Sequence, residues 1–170
     1  YQIDPETGRV IRSFDAPAAI PYGLAFDGRT LWHSSSFTGL IYQIDPETGR
    51  VIRSFDAPGI YPFGLTFDGR TLWYSNYITN LIYQIDPETG RVIRSFDAPV
   101  GSLRGLTFDG RTLWNSNSDT GLIYQIDPET GRVIRSFDAP AAIPYGLAFD
   151  GRTLWHCERA SHLIYQIDIG

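Results

Sequence analysis

An all-β fold, a β-propeller of four-stranded antiparallel blades, is what this sequence predicts, and three observations carry the prediction. The tetrad YQID begins at Tyr1, Tyr42, Tyr83, Tyr124 and Tyr165, a constant period of 41 residues. Each copy is built of short alternating segments rich in Val, Ile, Tyr, Phe and Trp, and none sustains a helical period. Turn signals made of Gly, Pro and Asp separate those segments. A period in this range, filled with short β-segments, is that of a propeller blade. The repeats are 1–41, 42–82, 83–123 and 124–164, with a closing strand at 165–168, in a single domain spanning 1–170.

Tyr1–Asp4 reads as a strand. Asp4-Pro5-Glu6-Thr7-Gly8 follows, a type I turn closed by a left-handed glycine, and Arg9–Phe14 returns as the second strand of a hairpin. After Ala16-Pro17 a short loop, 18–22, leads into the strand Gly23-Leu24-Ala25-Phe26. Asp27-Gly28 between two apolar runs predicts a two-residue type I′ hairpin, whose central residues both need positive φ. Arg29–Ser34 carries Leu31 and Trp32 back. A further loop reaches Leu40–Ile44, which is the first strand again.

Named A to D within one blade (GLxF, RTLW, LIYQID, RVIRSF), the strands read C-D, three complete A-B-C-D sets, then A-B-C. The last set lacks a D strand and the first segment holds a spare one at Arg9–Phe14. The sequence therefore predicts a ring closed by the N-terminal strand supplying the last blade, which would hide open sheet edges. One C strand, Tyr1–Asp4 or Tyr165–Asp168, is redundant and is expected to be displaced or frayed. Two assemblies fit: a monomeric four-bladed ring, or a strand-exchanged homodimer forming an eight-bladed ring. Because any blade can pair with any other, refolding is expected to give swapped oligomers.

Composition bounds the partners. The net charge is −5 and every basic residue is Arg, with no clustered basic stripe, so no nucleic-acid partner is expected. No apolar run approaches the roughly 20 residues that cross a bilayer, so no membrane partner is expected either. The lone Cys157 excludes an internal disulfide. With no Met and residue 1 opening inside a repeat, the chain reads as an excerpt of something longer.

The run GLTFDG…LW…NLIYQIDPETGRV resembles the blades of NHL and YVTN-like bacterial propellers. It is similar in turn to repeats of virginiamycin B lyase, gluconolactonase and glutaminyl cyclotransferase. The likeness covers residues 1–170 but rests on structural residues: the Asp-Gly turn, the Trp, the I-Y-x-I-D strand and the PETG hairpin. It implies the fold, and no catalytic set of those enzymes carries over onto this chain.

Compared with one another, the copies are identical over the equivalents of 1–17, 23–24, 26–32 and 40–41 and differ at 18–22, 25 and 33–39. The D-A and B-C loops share one rim, so variation gathers on a single face, the top. Arg9, Arg12 and Glu6 show no evident core role yet do not vary, which points to diversification of the top face for binding or to a designer who varied only that face. The candidate ligand-binding residues there are Tyr22, Phe63, Arg104 and Tyr145, placed before the innermost strand at the channel mouth. His33, Tyr74, Asn115 and His156 form a second set, followed two residues on by Ser35, Asn76, Asn117 and Glu158. Aromatic anchors with short polar groups suit adaptable recognition. The expected function is thus a non-enzymatic repeat scaffold binding a small ligand, glycan, peptide or protein. The alternatives are a purely structural, amplified or engineered propeller, and a lyase- or lactonase-like enzyme acting near His33, His156 and Glu158.

Other chemistry is weakly signalled. His156-Cys157-Glu158 with His162 matches no zinc spacing, so no metal or cofactor is expected. A Cys157 nucleophile would need an orienting group that the sequence does not show. Asp4 and Asp27 are explained as turn formers.

Overall fold

The structure is a computed structural model describing residues 1–170. It contains seventeen strands and no helix. β1 (Gln2–Ile3) and β2 (Val10–Arg12) form a hairpin. The first blade is β3 (Pro21–Phe26), β4 (Leu31–Ser35), β5 (Leu40–Ile44) and β6 (Val51–Asp56). The second is β7 (Pro62–Phe67), β8 (Leu72–Asn76), β9 (Leu81–Ile85) and β10 (Val92–Asp97). The third is β11 (Leu103–Phe108), β12 (Leu113–Asn117), β13 (Leu122–Ile126) and β14 (Val133–Asp138). The fourth holds β15 (Pro144–Phe149), β16 (Leu154–Glu158) and β17 (Ile164–Ile167). All pairings are antiparallel between consecutive strands, the predicted propeller arrangement.

The core lies between blades. Ala25, Trp32 and Ile41 on one face of the first blade pack against Leu65, Leu72, Tyr74 and Ile85 of the second, and the pattern repeats at the next two junctions. The face of each blade is made by the period-2 alternation of its strands, which sends Trp32 to one side and Leu31 and His33 to the other. Gly23 is required where the blades approach most closely: a Cβ there would stand 2.7 Å from the Cβ of Leu65.

Each Asp-Gly turn does more than reverse the chain. Asp27 Oδ1 accepts the amide N–H groups of Arg29 and Thr30, while Oδ2 accepts the Thr30 hydroxyl and the Trp32 indole N–H at 2.7 Å. The loop consequently runs from Asp27 to Thr30, with positive φ at Gly28 and not at Asp27, in place of the expected two-residue type I′ turn. The side chain has captured N–H groups that a tighter turn would have used. The PETG hairpins do end on left-handed glycines, Gly8 at φ 68° and Gly49 at 72°.

The invariant residues at positions 12 and 6 of the repeat find a structural role, contrary to expectation, whereas Arg9 and its copies make no side-chain hydrogen bond or ion pair. Arg53 donates Nε to Gln43 Oε1 at 2.7 Å and Nη1 to the Glu88 carbonyl at 2.8 Å in the next blade, and its guanidinium covers the Trp32 ring at 5.5 Å. Arg12–Glu47, Arg53–Glu88 and Arg94–Glu129 are equivalent ion pairs between successive units. These staples account for the invariance of the Arg12 and Glu6 positions without any appeal to ligand selection.

Closure by strand exchange within one chain is not made. β17 ends a three-stranded sheet, and β2 pairs only with β1. The innermost strands are adjacent in the order β3, β7, β11, β15, with β15 not packed back onto β3. The units are inclined to one another by an angle set by their side chains, and four of them leave the first and last faces apart. Neither C strand is displaced, but β1 is cut to two exposed residues with a register shift against β2, where the equivalent β5 has five.

Candidate functional site

Residues at position 22 of the repeat converge. Each precedes the invariant glycine of the innermost strand, where the chain emerges from the variable D-A loop. Tyr22 and Phe63 pack with ring centroids 4.1 Å apart and planes tilted by 38°, and Phe63 meets Tyr77 at 5.5 Å. Arg104 lies over three rings at once, Phe63 at 4.7 Å, Tyr77 at 4.8 Å and Tyr145 at 4.8 Å. Its Nε donates to Ser118 Oγ at 3.0 Å. Arg159 donates Nη1 to the Tyr145 hydroxyl at 3.2 Å. Thus Tyr22, Phe63, Arg104 and Tyr145, which the sequence placed together, do form one continuous surface. Tyr77 and Arg159 join them. The only sequence signal for that pair was that both fall one residue past strand B within the variable stretch.

The position-33 residues face elsewhere. His33, Tyr74, Asn115 and His156 are all buried and contribute nothing to the exposed rim, the last three at blade junctions and His33 on the open face of the first blade. The alternation that sends Trp73, Trp114 and Trp155 to one face of their blades sends Tyr74, Asn115 and His156 into the opposite junction. His33 Nδ1 bonds the Gly23 carbonyl at 3.2 Å, His156 Nδ1 that of Gly146 at 3.3 Å, and Asn115 Nδ2 that of Gly105 at 2.8 Å. Since a carbonyl only accepts, each imidazole carries its proton on Nδ1, and its Nε2 is buried without a partner. Burial holds both histidines below their ordinary pKa, against the opposing effect of the glycine carbonyl. Tyr74 fills the same space with a hydroxyl that donates to the Gly59 carbonyl, and burial pushes its pKa up.

Ser35, Asn76, Asn117 and Glu158 brace the loops. Asn76 donates to the Ile60 carbonyl at 2.8 Å and accepts the amides of Ile78 and Thr79. Glu158 accepts the amides of Ile143 and Ser161, and its pKa falls to about 2, the Ser161 amide being the main cause. A carboxylate so engaged is a loop cap, not a free base. Cys157 Sγ accepts the Gly146 amide at 3.1 Å, the role Ser34 Oγ plays for Gly23. His156 and Cys157 therefore point to opposite faces of β16, and no three metal-ligating side chains converge anywhere. Open clefts lie between blades on the bottom face, one lined by Asp68, Trp73, Gln84, Arg111 and Glu129, where the staples lie.

Residues 12–142 match the family model described as glutamine cyclotransferase. No curated protein matches the chain by sequence. Among solved structures, the chain is similar to the glutaminyl cyclase of Myxococcus xanthus, with 17% identity and a TM-score of 0.78 over 90% of this chain and 67% of that one. Virginiamycin B lyase of Staphylococcus aureus is 21% identical with a TM-score of 0.69, covering 99% of this chain and 58% of that one. The computationally designed protein Ika4 is 19% identical with a TM-score of 0.67, covering 96% and 99% respectively. The family match overturns the expectation of a non-enzymatic binding scaffold, because the family is defined by a reaction and the structure with a TM-score of 0.78 bears the name of an enzyme of that kind.

Proposed function

The chain belongs to the glutamine cyclotransferase family, and on that premise we propose that it cyclises the N-terminal glutaminyl residue of a peptide at the Arg104 rim. The reaction is internally balanced. The α-amino nitrogen attacks the side-chain carboxamide carbon, forming the ring C–N bond. The carbonyl electron pair moves to oxygen and returns as the C–NH2 bond breaks. The departing nitrogen leaves as ammonia with the proton the amine has lost.

Three demands follow from that chemistry, and the rim has groups suited to each. The amine must be neutral, and a fixed guanidinium disfavours an ammonium beside it. The developing oxyanion needs N–H donors held in place before the reaction. Arg104, anchored by Ser118 and three rings, makes no hydrogen bond within the chain through its terminal nitrogens. The leaving nitrogen needs a proton, and the Tyr145 hydroxyl, accepting from Arg159, keeps its own hydrogen to donate. The aromatic walls at Tyr22, Phe63 and Tyr77 suit the aliphatic part of the glutaminyl side chain and the following residue.

The observation that carries this reading is Arg104 fixed over Phe63, Tyr77 and Tyr145. The test is incubation with a short glutaminyl peptide, following ammonia and the cyclised product by mass. Arg104→Leu should lower kcat by about a hundredfold, the scale of one lost oxyanion donor, and Tyr145→Phe should lower it less. Absence of product from the unmodified protein, or an Arg104→Leu variant with unchanged kcat, overturns it.

A further inference from the structure

The two ends of the arc carry the two halves of one missing junction. At each internal junction the Trp is sealed: Trp73 is 1% exposed and Trp114 is 0% exposed. Trp155, the equivalent in the fourth blade, is 37% exposed. Ile164, the counterpart of the fully buried Ile123, is 71% exposed. At the other end, Leu24 is 62% exposed where Leu65 is 4% exposed, and Phe26 is 56% exposed. Trp155 and Ile164 are thus the donor face of a junction whose receiving face is Leu24 and Phe26, and no intervening chain covers either.

We propose that a second copy of this chain covers both, so that two arcs close a ring of eight blades about a two-fold axis. The inference is independent of the activity proposed above. Residues 1–170 supply four A-B pairs, so any ring closed from copies of this segment alone holds a multiple of four blades. A four-bladed ring requires β15 against β3, which the structure does not make. Eight is the other multiple within the usual range of four to eight blades.

The partner also supplies a strand. β1–β2 stacks on the first blade as the outer part of a preceding blade would: Arg12 pairs with Glu47 at 2.7 Å, and Phe14 lies where Phe55 lies against Gly90. The preceding blade in the ring is β15–β17 of the other copy, so β1 and the other copy's β17 claim one place. β1 yields. It spans only Gln2–Ile3, whereas β17 brings Ile164 to the buried apolar position that Ile41, Ile82 and Ile123 occupy. β1 is also held by two residue pairs only, Gln2 with Arg12 and Ile3 with Val10. By the register of β5 on β6, Ile164 then faces Phe14, Tyr165 faces Ser13, Gln166 faces Arg12 and Ile167 faces Val10, the second of each pair in the other copy. Arg12 would cover Trp155 as Arg53 covers Trp32. The rim is completed as well, because Tyr145 of one copy and Tyr22 of the other become neighbours as Tyr22 and Phe63 are now.

Light scattering across a concentration series should give twice the chain mass. A monomer at every concentration, or a mass above the dimer, overturns the proposal. In a Cys157→Ser background, Ser13→Cys with Tyr165→Cys should oxidise to a covalent dimer. A disulfide within one chain means self-closure and overturns it, as does no disulfide. Gly146→Ala tests the packing face. Within the chain an added Cβ there meets only the movable Cys157 Sγ, whereas at Gly23 it meets the backbone and Cβ of the next blade. The variant should keep its circular dichroism and lose the dimer. A Gly146→Ala protein that remains dimeric overturns the assignment of this face.

Discussion

Ile143 donates its amide N–H to Glu158 Oε1 at 3.0 Å, whereas at the same place in the first blade Ser35 donates its hydroxyl to the carbonyl of Ala19 at 2.8 Å. The two loops have one sequence, Ala-Ala-Ile-Pro-Tyr, at 18–22 and 141–145. Ile20 has φ +54°, yet Ile143 keeps an ordinary negative φ. An ionised carboxylate has no proton to give, so the peptide plane turns to present its N–H instead of its carbonyl.

Glu158→Asn should therefore turn the peptide before Ile143 and bring its φ positive, as Asn76 does for Tyr61 at φ 63°. Ser35→Glu should do the reverse at Ile20 and relieve a conformation that a β-branched residue adopts at a cost. Crystal structures of the two variants check both. Unchanged loops in either would show that position 35 does not command the peptide.

His33 and His156 make stability pH-dependent. Their folded pKa values lie below the unfolded value of about 6.5. As pH falls below about 6.5 the unfolded chain takes up protons that the folded chain refuses, so stability declines from there toward the folded values and is unaffected above. Replacing both with Asn, which at Asn115 already bonds the equivalent carbonyl at 2.8 Å, should flatten this slope in urea titrations between pH 7 and pH 5. A slope retained by the double variant would assign it to other groups.

Asp68→Ala should cost about 3 kcal/mol, the range for removing a charged acceptor and stranding the indole of a buried Trp. Burial raises the Asp68 pKa, but the hydrogen bonds from Thr71, Trp73 and Arg70 outweigh it, and the net shift is downward. The contribution is complete above the unfolded value of about 3.9 and is lost as pH falls below it through the folded value. Acid unfolding of the wild type should steepen in that window, and the variant should lose that component.

Gly64→Ala should destabilise the chain by about 3 kcal/mol, at the upper end for overpacking. The new Cβ would lie 2.5 Å from Leu106 Cβ and 2.9 Å from Leu106 N, and backbone there has nowhere to move. The denaturation midpoint reads this directly. A midpoint like that of the wild type would mean the blades can separate at little cost.

Much of the architecture was legible because it is periodic. The spacing of Tyr1, Tyr42, Tyr83, Tyr124 and Tyr165 states the blade length, and alternation within Leu31–Ser35 states that Trp32 and His33 point to opposite faces. The gathering of Tyr22, Phe63, Arg104 and Tyr145 was legible too, since equivalent positions of stacked repeats must lie along one line. Reading His33 and His156 as rim residues failed because a loop-side position in sequence is still a strand position in space: the neighbouring blade buries His156, and His33 is buried within its own blade, its ring stacked on Tyr42. Arg12 and Glu47 looked idle because their partners stand on different repeats.

Local sequence alone determined the strands, their turns and the order of the blades, because those depend on alternation and on residues a few positions apart. Tertiary structure alone decided the inclination of one blade to the next, and with it the open faces at Leu24 and Trp155. It also decided the conformation of Ala-Ala-Ile-Pro-Tyr, one sequence in two backbones. In each case the deciding group, a packed side chain of the neighbouring blade or the donor at position 35, lies outside the segment it controls.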